Sequence, residues 1–368
     1  LHGRLRRQRQ MCIRDSGKPI NDSKGEITYA SWFTDWFAEE AKRAYGKTIP
    51  STTQGRRIIT IKQSVGVCGI ITPWNFPAAM ITRKVAPALA AGCPVVIKPA
   101  GSTPFTATAL VELAKRAGIP DGVINLISVS EKDVANVGDE LCENLNVRKI
   151  SFTGSTNVGK ILMSKTAGTV KRVSMELGGH APFIVFEDAD LDEAVIGAMA
   201  NKYRNSGQVC VSANRIYVHE NIYDEFSNRL AEKSSQLKVA DGRTEGSQIG
   251  PLITPQAFKK VEEHVEDAVE KGAKILTGGT NDNSGVQFYK PTVLTDINNN
   301  MKIYYEETFG PVAPIIKFKD ENEVIEMAND TKYGLAGYFY SRDIGKIWRV
   351  AEALEYGMVG INAGVIST

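Results

Sequence analysis

From Val65 onward, short β-branched and apolar runs alternate with longer stretches in which apolar residues recur at helical spacing. Apolar runs of about four to eight residues predict buried strands, and the stretches between them predict helices. The predicted strands of the first half are 65–72, 94–98, 123–128 and 149–152, with predicted helices near 79–90, 104–117 and 156–167. Since parallel strands need a crossover connection of this length, the pattern predicts a doubly wound parallel sheet.

A second series of strands and helices follows the glycine pair Gly178–Gly179. Its predicted strands are 181–186, 215–220, 313–318 and 336–341, and its predicted helices begin at Asp190 and lie near 221–236 and 254–271. With 368 residues, and about 100–200 residues per domain, the chain is long enough for two domains. We therefore predict an α/β protein with one domain over 17–47 and 65–177 and a second over 178–368.

Two segments fall outside these domains. Residues 48–64 have two extended stretches around the turn at Gln54–Gly55, which predicts a β-hairpin able to pair with another subunit. Residues 1–16 are basic and lack the apolar core of a secretion signal. We expect this segment to be a non-native or disordered tail.

The charges of the chain are nearly balanced, with 44 lysines and arginines against 42 aspartates and glutamates. They are spread along the chain, which argues against nucleic acid as a partner. Its apolar runs are far shorter than the roughly 20 residues of a membrane-spanning helix. The five cysteines form no close pair and the four histidines have no metal-ligand spacing. We expect a soluble, cytoplasmic protein without disulfides or a bound metal.

Two turns at strand ends are candidate sites for a nucleotide. In "SFTGSTNVGK" (151–160) a strand runs through Gly154 and Ser155 into a helix, and helix N-termini attract phosphate. In "VVIKPAGSTPF" (95–105) Lys98 ends a strand, at the edge where open α/β sheets bind ligands. Taken alone, both stretches are equally consistent with ordinary surface turns.

Three further residues have side chains suited to catalysis. Asn75, in "PWNFP", is an amide that suits an oxyanion, although an Asx turn before the next helix is the simpler interpretation. Glu176 ends an apolar strand and suits a general base, with a structural glutamate as the alternative. Cys210, in "GQVC", is consistent with a nucleophile or with an inert buried thiol, because no histidine or lysine beside it supplies a base.

Six motifs, in this order along the chain, resemble the aldehyde dehydrogenase superfamily: "PWNFP", "KPAGSTP", "FTGSTNVG", "MELGG", "GQVC" and "EETFGP". The resemblance runs from about Gly17 to the end of the chain, and it is closest to bacterial succinate-semialdehyde dehydrogenases. It implies a doubly wound dinucleotide-binding domain, an α/β catalytic domain and an oligomerisation hairpin. It also implies that parts of the family's N-terminal and C-terminal segments are missing here, and that the full-length parent is a dimer or tetramer.

The resemblance implies a mechanism as well. Cys210 would attack the aldehyde carbon, while the Asn75 side chain and the Cys210 backbone amide would hold the oxyanion. Hydride transfer to a nicotinamide would leave a thioester, and Glu176 would activate the water that hydrolyses it. Glu176 and local dipoles, rather than a histidine, would then activate the thiol.

The cofactor that the resemblance implies is NADP or NAD. Its expected binding residues are Trp74, Lys98, Gly101, Ser102, Gly154, Ser155, Glu307 and Phe309. Lys98 is expected at the adenosine ribose, Ser155 at the pyrophosphate and Glu307 at the nicotinamide ribose. Many NAD-preferring relatives carry a glutamate where this chain has Gly101, so a 2′-phosphate meets no like charge here. NADP is therefore slightly favoured.

The substrate residues that the resemblance implies are Arg83, Arg204 and Ser367. Arginines suit a carboxylate, so we expect succinate semialdehyde, oxidised to the dicarboxylate. Glutarate semialdehyde or another aldehyde is the alternative, as is an inactive fragment that keeps the nucleotide cleft. Ser212 stands where some relatives carry a second cysteine, which argues against a disulfide switch. His180 stands where close relatives commonly have asparagine, and it has no assigned role.

Overall fold

The computed structural model describes residues 11–366, which divide into two compact units. Unit 1 contains residues 11–16 and 23–177, and unit 2 contains residues 17–22 and 178–366 of the described chain. The main division falls between Leu177 and Gly178, directly before the glycine pair. Each unit has its own sheet and its own hydrophobic core.

Unit 1 combines a five-stranded sheet, a separate two-stranded hairpin and the helices around them. Its strands are β1 (Lys47–Pro50), β2 (Arg57–Thr60), β3 (Val67–Ile71), β4 (Val95–Lys98), β5 (Ile124–Leu126), β6 (Val147–Thr153) and β7 (Arg172–Glu176). Its helices are α1 (Ile20–Ala41, which begins in unit 2), α2 (Ala79–Ala90), α3 (Pro104–Arg116), α4 (Val134–Glu143) and α5 (Thr156–Thr166). Short 3₁₀ turns lie at Glu131–Asp133 and Ala167–Thr169.

The sheet of unit 1 has the order β5-β4-β3-β6-β7, and all its strands are parallel. Successive residues of β3 serve opposite faces, as the pleat requires. Ile70 packs in a core cluster with α2 and α3, whereas Ile71 packs in a second cluster with α4 and α5. Helices therefore cover both faces, and the prediction of a doubly wound parallel sheet is confirmed.

The strand order of unit 1 reverses between β3 and β6. The chain moves outward from β3 to β5 and then returns to the other side of β3. Open α/β sheets bind ligands beyond the carboxyl ends of the strands at such a reversal. Lys98, Thr153 and Glu176 are the last residues of β4, β6 and β7, so the fold brings the candidate residues of unit 1 to this edge.

The hairpin predicted over 48–64 is formed by β1 and β2, which pair in antiparallel register from Lys47↔Thr60 to Pro50↔Arg57. Every residue of the two strands is exposed, including Ile49, Ile58 and Ile59. A two-stranded hairpin is at best marginally stable by itself in water. Its role in oligomerisation stays a prediction.

The N-terminal segment differs from the expected tail. Residues 11–16 are helical, and Cys12 and Ile13 are buried. Asp15 Oδ2 accepts hydrogen bonds from the Thr106 backbone N–H at 2.8 Å and from its hydroxyl at 2.6 Å. The carboxylate thus satisfies donors in the first turn of α3, a position that favours negative charge. The basic composition concealed this acidic cap, so the prediction of a tail was wrong for these residues.

Residues 17–22 also differ from the expectation, which joined them to the first domain. They belong to unit 2, where the Ile20 N–H donates to Gly242 O at 3.0 Å. A Cβ at Gly17, whose φ is +71°, would lie 2.4 Å from Pro251 Cγ. Such close backbone packing is possible only for glycine.

Unit 2 has a seven-stranded sheet of order β10-β11-β12-β9-β8-β13-β14, in which β10 is antiparallel to β11 and the other pairs are parallel. Its strands are β8 (Ala181–Val185), β9 (Ala213–His219), β10 (Lys274–Thr277), β11 (Thr292–Thr295), β12 (Val312–Phe318), β13 (Ala336–Tyr340) and β14 (Met358–Ile361). Its helices are α6 (Leu191–Tyr203), α7 (Tyr223–Ser235), α8 (Pro255–Glu270), α9 (Lys302–Tyr305), α10 (Glu321–Asn329) and α11 (Ile344–Ala353). A short left-handed turn lies at Arg204–Gly207 and a 3₁₀ turn at Glu220–Ile222.

The core of unit 2 surrounds its central strands. All residues of β8, β9 and β13 are buried, as is usual for parallel strands covered on both faces. Sequence analysis predicted these strands and β12, and the α/β class is confirmed. Across residues 11–366, no helix has both the length and the apolar character needed to cross a membrane.

Candidate active site

Cys210 lies in the segment that joins the end of α6 to the start of β9. This segment leaves the helix through Arg204–Gly207. Asn205 and Ser206 have left-handed backbones with φ values of 50° and 57°, and Gly207 follows with φ of 75°. Left-handed non-glycine residues cost about 1–3 kcal/mol each and persist where surrounding contacts hold them.

Contacts with the chain around Gly250 hold this strained segment. Ser206 Oγ donates to Gly250 O at 3.0 Å and accepts from the Gly250 N–H at 2.9 Å. Gln208 Oε1 accepts from the Ile253 N–H at 3.0 Å. A Cβ at Gly207 would lie 2.1 Å from Gly310 O, so the two backbones touch. The backbone that leads to Cys210 is therefore held by contacts with the chain near Gly250 and near Gly310.

A small cavity of unit 2 lies beside the thiol segment. Its lining residues are Ala200, Asn201, Arg204, Val209, Val211, Tyr338, Gly364 and Val365. Val209 and Val211 flank Cys210, which is half-buried. The Tyr338 hydroxyl donates to Val211 O at 2.8 Å, and burial raises the pKa of Tyr338, so it stays a neutral donor. Arg204, which is half-buried, therefore lines the same small cavity as the two neighbours of Cys210.

Glu307 lies against the glycine pair within unit 2. The Gly179 N–H donates to Glu307 Oε1 at 3.1 Å, and a Cβ at Gly178 would lie 3.0 Å from Oε2. Burial raises the pKa of Glu307 to about 7. Lys260 Nζ donates to the Glu307 backbone oxygen, and Phe309 has a left-handed φ of 57°. The carboxyl group is held in place and changes its charge near neutral pH.

His180 has a structural environment that the sequence did not reveal. Its Nε2 lies 2.8 Å from Tyr304 O, and Arg215 Nε donates to the His180 backbone oxygen at 3.1 Å. Burial lowers the pKa of His180 to about 3, so the ring is neutral and Nε2–H donates to the carbonyl. His180 therefore links the glycine pair to the chain that precedes Glu307.

Asn75 lies in unit 1, between β3 and α2. It is buried, and its Oδ1 accepts from the Phe76 N–H at 3.1 Å. Glu26 of α1 accepts from the Ala78 N–H at 2.7 Å and so caps α2. These contacts fix the turn and engage the acceptor end of the Asn75 amide. Trp74, beside it, is half-buried.

Glu176 is half-buried at the end of β7, and its backbone oxygen accepts from the Gly154 N–H at 3.0 Å. Lys84 of α2 acts electrostatically on this carboxylate and was not identified from the sequence. It is buried and donates from Nζ to Ser151 Oγ at 3.0 Å. Burial and, less strongly, Arg83 lower the pKa of Lys84 to about 8, against the opposite effect of Glu176. No local pattern marks a helical lysine as buried.

Lys98 and a surface cavity mark the candidate ribose site of unit 1. Lys98 is buried and donates from Nζ to Pro99 O at 3.2 Å, and burial lowers its pKa. The cavity is lined by Pro99, Ala100, Gly101, Pro104, Ser128, Val129 and Ser130, none of them acidic. Ser102 is exposed next to this lining. The lining of this cavity therefore combines two serine hydroxyls with uncharged residues.

Ser155 is exposed at the N-cap of α5, where its Oγ accepts from the Val158 N–H at 3.4 Å. The helix dipole favours an anion at this end. The neighbouring Gly154 N–H is engaged in the sheet, so it is not one of the amides directed to a phosphate. Gly159 permits the close approach of Leu177, whose Cδ2 would lie 2.4 Å from an added Cβ.

The candidate substrate residues lie in different units. Arg83, on α2 of unit 1, is half-buried with its guanidinium carbon 5.7 Å from the Phe33 ring centroid, whereas Arg204 belongs to unit 2. Ser367 lies outside the described residues. Ser212 is buried. Between residues 11 and 366, no three His, Cys, Asp or Glu side chains are grouped to hold a metal ion.

Comparisons with known proteins agree with one another. A profile of the aldehyde dehydrogenase family matches residues 2–368. The succinate-semialdehyde dehydrogenase [NADP(+)] GabD of Escherichia coli (strain K12) is 57% identical over 353 residues, 96% of this chain and 73% of that protein. Glutarate-semialdehyde dehydrogenase of Pseudomonas putida is 58% identical over 358 residues, 97% of this chain and 74% of that protein.

A solved structure is also closely similar. An E. coli NADP-dependent enzyme superposes with a TM-score of 0.96 at 55% identity, covering 98% of this chain and 75% of that chain. The chain thus spans about three quarters of the relatives it matches.

Proposed function

Since the chain belongs to the aldehyde dehydrogenase family, NAD(P)-dependent oxidoreductases acting on aldehydes, we propose that it oxidises a short aldehyde with a terminal carboxylate to the dicarboxylate. Succinate semialdehyde is the first candidate and glutarate semialdehyde the second. These are the semialdehydes named in two relatives that are 57% and 58% identical.

The position of Arg204 in the same segment as Cys210 carries this proposal. Arg204 lines the same cavity as Val209 and Val211, the neighbours of Cys210 in the chain. A guanidinium group matches the two oxygens of a carboxylate and binds it more strongly than it binds a neutral group. A short chain whose carboxylate meets Arg204 extends its aldehyde toward Cys210. Arg83 and Ser367 are proposed as further carboxylate-binding residues.

The proposed chemistry divides between three residues. The Cys210 thiolate adds to the aldehyde carbon, and the Asn75 side chain and the Cys210 backbone amide donate to the resulting oxyanion. Bound NAD(P) supplies the hydride acceptor. Glu176 then takes a proton from the water that attacks the Cys210 thioester, which releases the dicarboxylate and restores the thiolate.

The residues of unit 1 suit either nicotinamide dinucleotide, with NADP favoured. Lys98 supplies a cation for the adenosine ribose, and Ser155 lies at a helix end that attracts the pyrophosphate. The cavity around Gly101 has no acidic lining residue that would repel a 2′-phosphate. Trp74, Ser102, Glu307 and Phe309 are proposed as further cofactor contacts. The hairpin β1–β2 is proposed to pair with another copy of the chain.

A substrate panel tests the proposal. The purified protein is given succinate semialdehyde, glutarate semialdehyde or propanal with NADP or NAD, and absorbance of the reduced nicotinamide is followed. We expect kcat/KM to be at least tenfold higher for an acid aldehyde than for propanal, and not lower with NADP than with NAD. Cys210→Ala is the blank. Equal kcat/KM for propanal and both acid aldehydes contradicts the substrate, and a strong preference for NAD contradicts the cofactor assignment.

A further inference from the structure

Lys202 is a fully buried lysine immediately before the end of α6. Its Nζ donates to Ala213 O and to Asn214 Oδ1, each at 3.0 Å. None of the ion pairs found within residues 11–366 includes Lys202, and Glu307 acts on it only through its charge. Burying an ammonium group is costly, so a lysine at this point needs a reason beyond filling space.

The two hydrogen bonds of Lys202 join the two ends of the segment that runs from the end of α6 to the start of β9 and carries Cys210. Lys202 precedes this segment in the chain, whereas Ala213 and Asn214 follow it. The neighbouring Asn201 strengthens the closure, since its Oδ1 accepts from the Ala213 N–H at 2.5 Å. The last turn of α6 is thus tied to the first residues of β9.

The segment closed in this way is strained, and it includes the proposed carboxylate-binding residue Arg204 and the proposed nucleophile Cys210. It begins with Arg204, passes through the left-handed Asn205 and Ser206 and includes Cys210. Strained backbone relaxes unless its ends and its middle are held. The contacts with Gly250 hold the middle, and the bonds from Asn201 and Lys202 tie the two ends to each other.

We propose that Lys202 is a positioning residue, which sets the place of Arg204 and Cys210 together by fixing the base of the segment that carries them. This inference rests on the proposed function, since it assigns a role to Lys202 in that reaction. Burial lowers the pKa of Lys202 to about 7. A neutral amine keeps two N–H donors for the two acceptors, so the closure persists on both sides of neutral pH.

Alkylation of Cys210 by iodoacetamide tests the inference without aldehyde or nicotinamide. Peptide mapping gives the Cys210 rate in the wild type, in Lys202→Met, which has similar volume and no donor, and in Lys202→Gln, which keeps an amide donor. We expect the rate to fall about tenfold in Lys202→Met, because the thiolate loses its fixed surroundings, and Lys202→Gln to regain most of it. Lys233→Met, at an exposed helix end, should keep the wild-type rate.

Steady-state kinetics separate positioning from general structural damage. Arg204 and Cys210 share one segment, so Lys202→Met should lower kcat and raise KM for the acid aldehyde together. Thermal unfolding identifies folded variants. A folded Lys202→Met with the wild-type alkylation rate overturns the inference. If Lys202→Met does not fold, Asn214→Ala removes one acceptor instead, and a wild-type rate there has the same meaning.

The two proposals fail in different ways. Slow alkylation in Lys202→Met, with no turnover of either acid aldehyde by the wild type, contradicts the proposed substrate and supports the positioning role. Turnover of an acid aldehyde, with unchanged alkylation in folded Lys202→Met, supports the substrate and overturns the positioning role.

Discussion

At the scale of single residues, Arg204 gives the sharpest test of substrate recognition. Removing a charge-assisted bond to a carboxylate costs about 1.5–3 kcal/mol, or roughly tenfold to a hundredfold in affinity. Arg204→Ala should therefore raise KM for succinate semialdehyde by that factor and leave KM for propanal nearly unchanged. Arg349→Ala, at an exposed arginine paired with Glu321, is the matched control. A similar rise of KM for both aldehydes would show that Arg204 does not bind the carboxylate.

The raised pKa of Glu307 predicts that the free energy of unfolding of the protein depends on pH. Burial raises its pKa from 4.5 to about 7, so between these values the folded state holds a proton that the unfolded state releases. Stability therefore falls as pH rises from 4.5 to 7, by at most about 3 kcal/mol, and the cost is complete above pH 7. Glu307→Gln removes this dependence, so the variant should gain stability relative to the wild type on going from pH 5 to pH 8.

Urea unfolding at pH 5 and pH 8 measures this effect. The difference between the free energies of unfolding of Glu307→Gln and the wild type should be larger at pH 8. Glu326→Gln, at an exposed glutamate of α10, is the control with the same chemical change. A difference that is the same at both pH values contradicts the buried position of Glu307.

Motifs identify residues through their chain neighbours, which explains what sequence analysis found and missed at this scale. Cys210, Glu176 and Asn75 stand in short motifs that a resemblance can recognise. Lys84 and Lys202 lie in ordinary helical sequence, and each is bonded to residues outside its own helix, 67 residues away for Lys84 and 11 and 12 residues away for Lys202. A lysine on a helix is normally solvated, so composition and periodicity give no sign of either.

At the scale of elements, the backbone contact between Gly207 and Gly310 leads us to predict that no side chain is tolerated at position 207. Gly207→Ala places a Cβ 2.1 Å from Gly310 O at a φ of +75°, so both steric overlap and backbone strain act against the folded state. We expect the free energy of unfolding to fall by more than the roughly 1–3 kcal/mol that strain alone costs, and we expect slower alkylation of Cys210.

Gly272→Ala isolates the strain from the overlap. Gly272 also has a positive φ, +103°, but an added Cβ meets nothing within 4 Å. Its variant should unfold at a slightly lower urea concentration than the wild type. Equal losses of stability in Gly207→Ala and Gly272→Ala would show that the contact with Gly310 does not restrict the segment.

The elements that sequence analysis missed share weak or short patterns. Strands β10 and β14 have four residues each, at least two of them exposed, so they leave no continuous apolar run. Strand β11 is as short and has only two apolar residues between two threonines. Helix α1 contains Gly25 and exposes Trp32 and Trp36, so its apolar positions form no clear stripe. The buried strands β8, β9, β12 and β13 were predicted because burial on both faces leaves continuous apolar runs. Helices α10 and α11 were not predicted, although aspartates cap both of them.

At the scale of the whole molecule, the sequence predicts two α/β domains because two series of strands and helices are separated by a glycine pair. It did not predict that residues 17–22 belong to unit 2. Domain membership depends on which core a short segment contacts, and these residues have no pattern of their own. Gly17 is an example, because it packs against Pro251, a residue far away in the sequence, and no local pattern indicates that contact.

The last prediction concerns assembly through the hairpin β1–β2. Ile59 is 72% exposed on a two-stranded hairpin that has marginal stability alone, which favours its pairing with another copy. Ile59→Lys places a solvated charge there, so a dimer or tetramer of the wild type should dissociate about tenfold more readily in sedimentation velocity. Ile344→Lys, at a residue 69% exposed on α11, is the matched control and should assemble as the wild type does. A monomeric wild type, or unchanged assembly of Ile59→Lys, would contradict a role of this hairpin in oligomerisation.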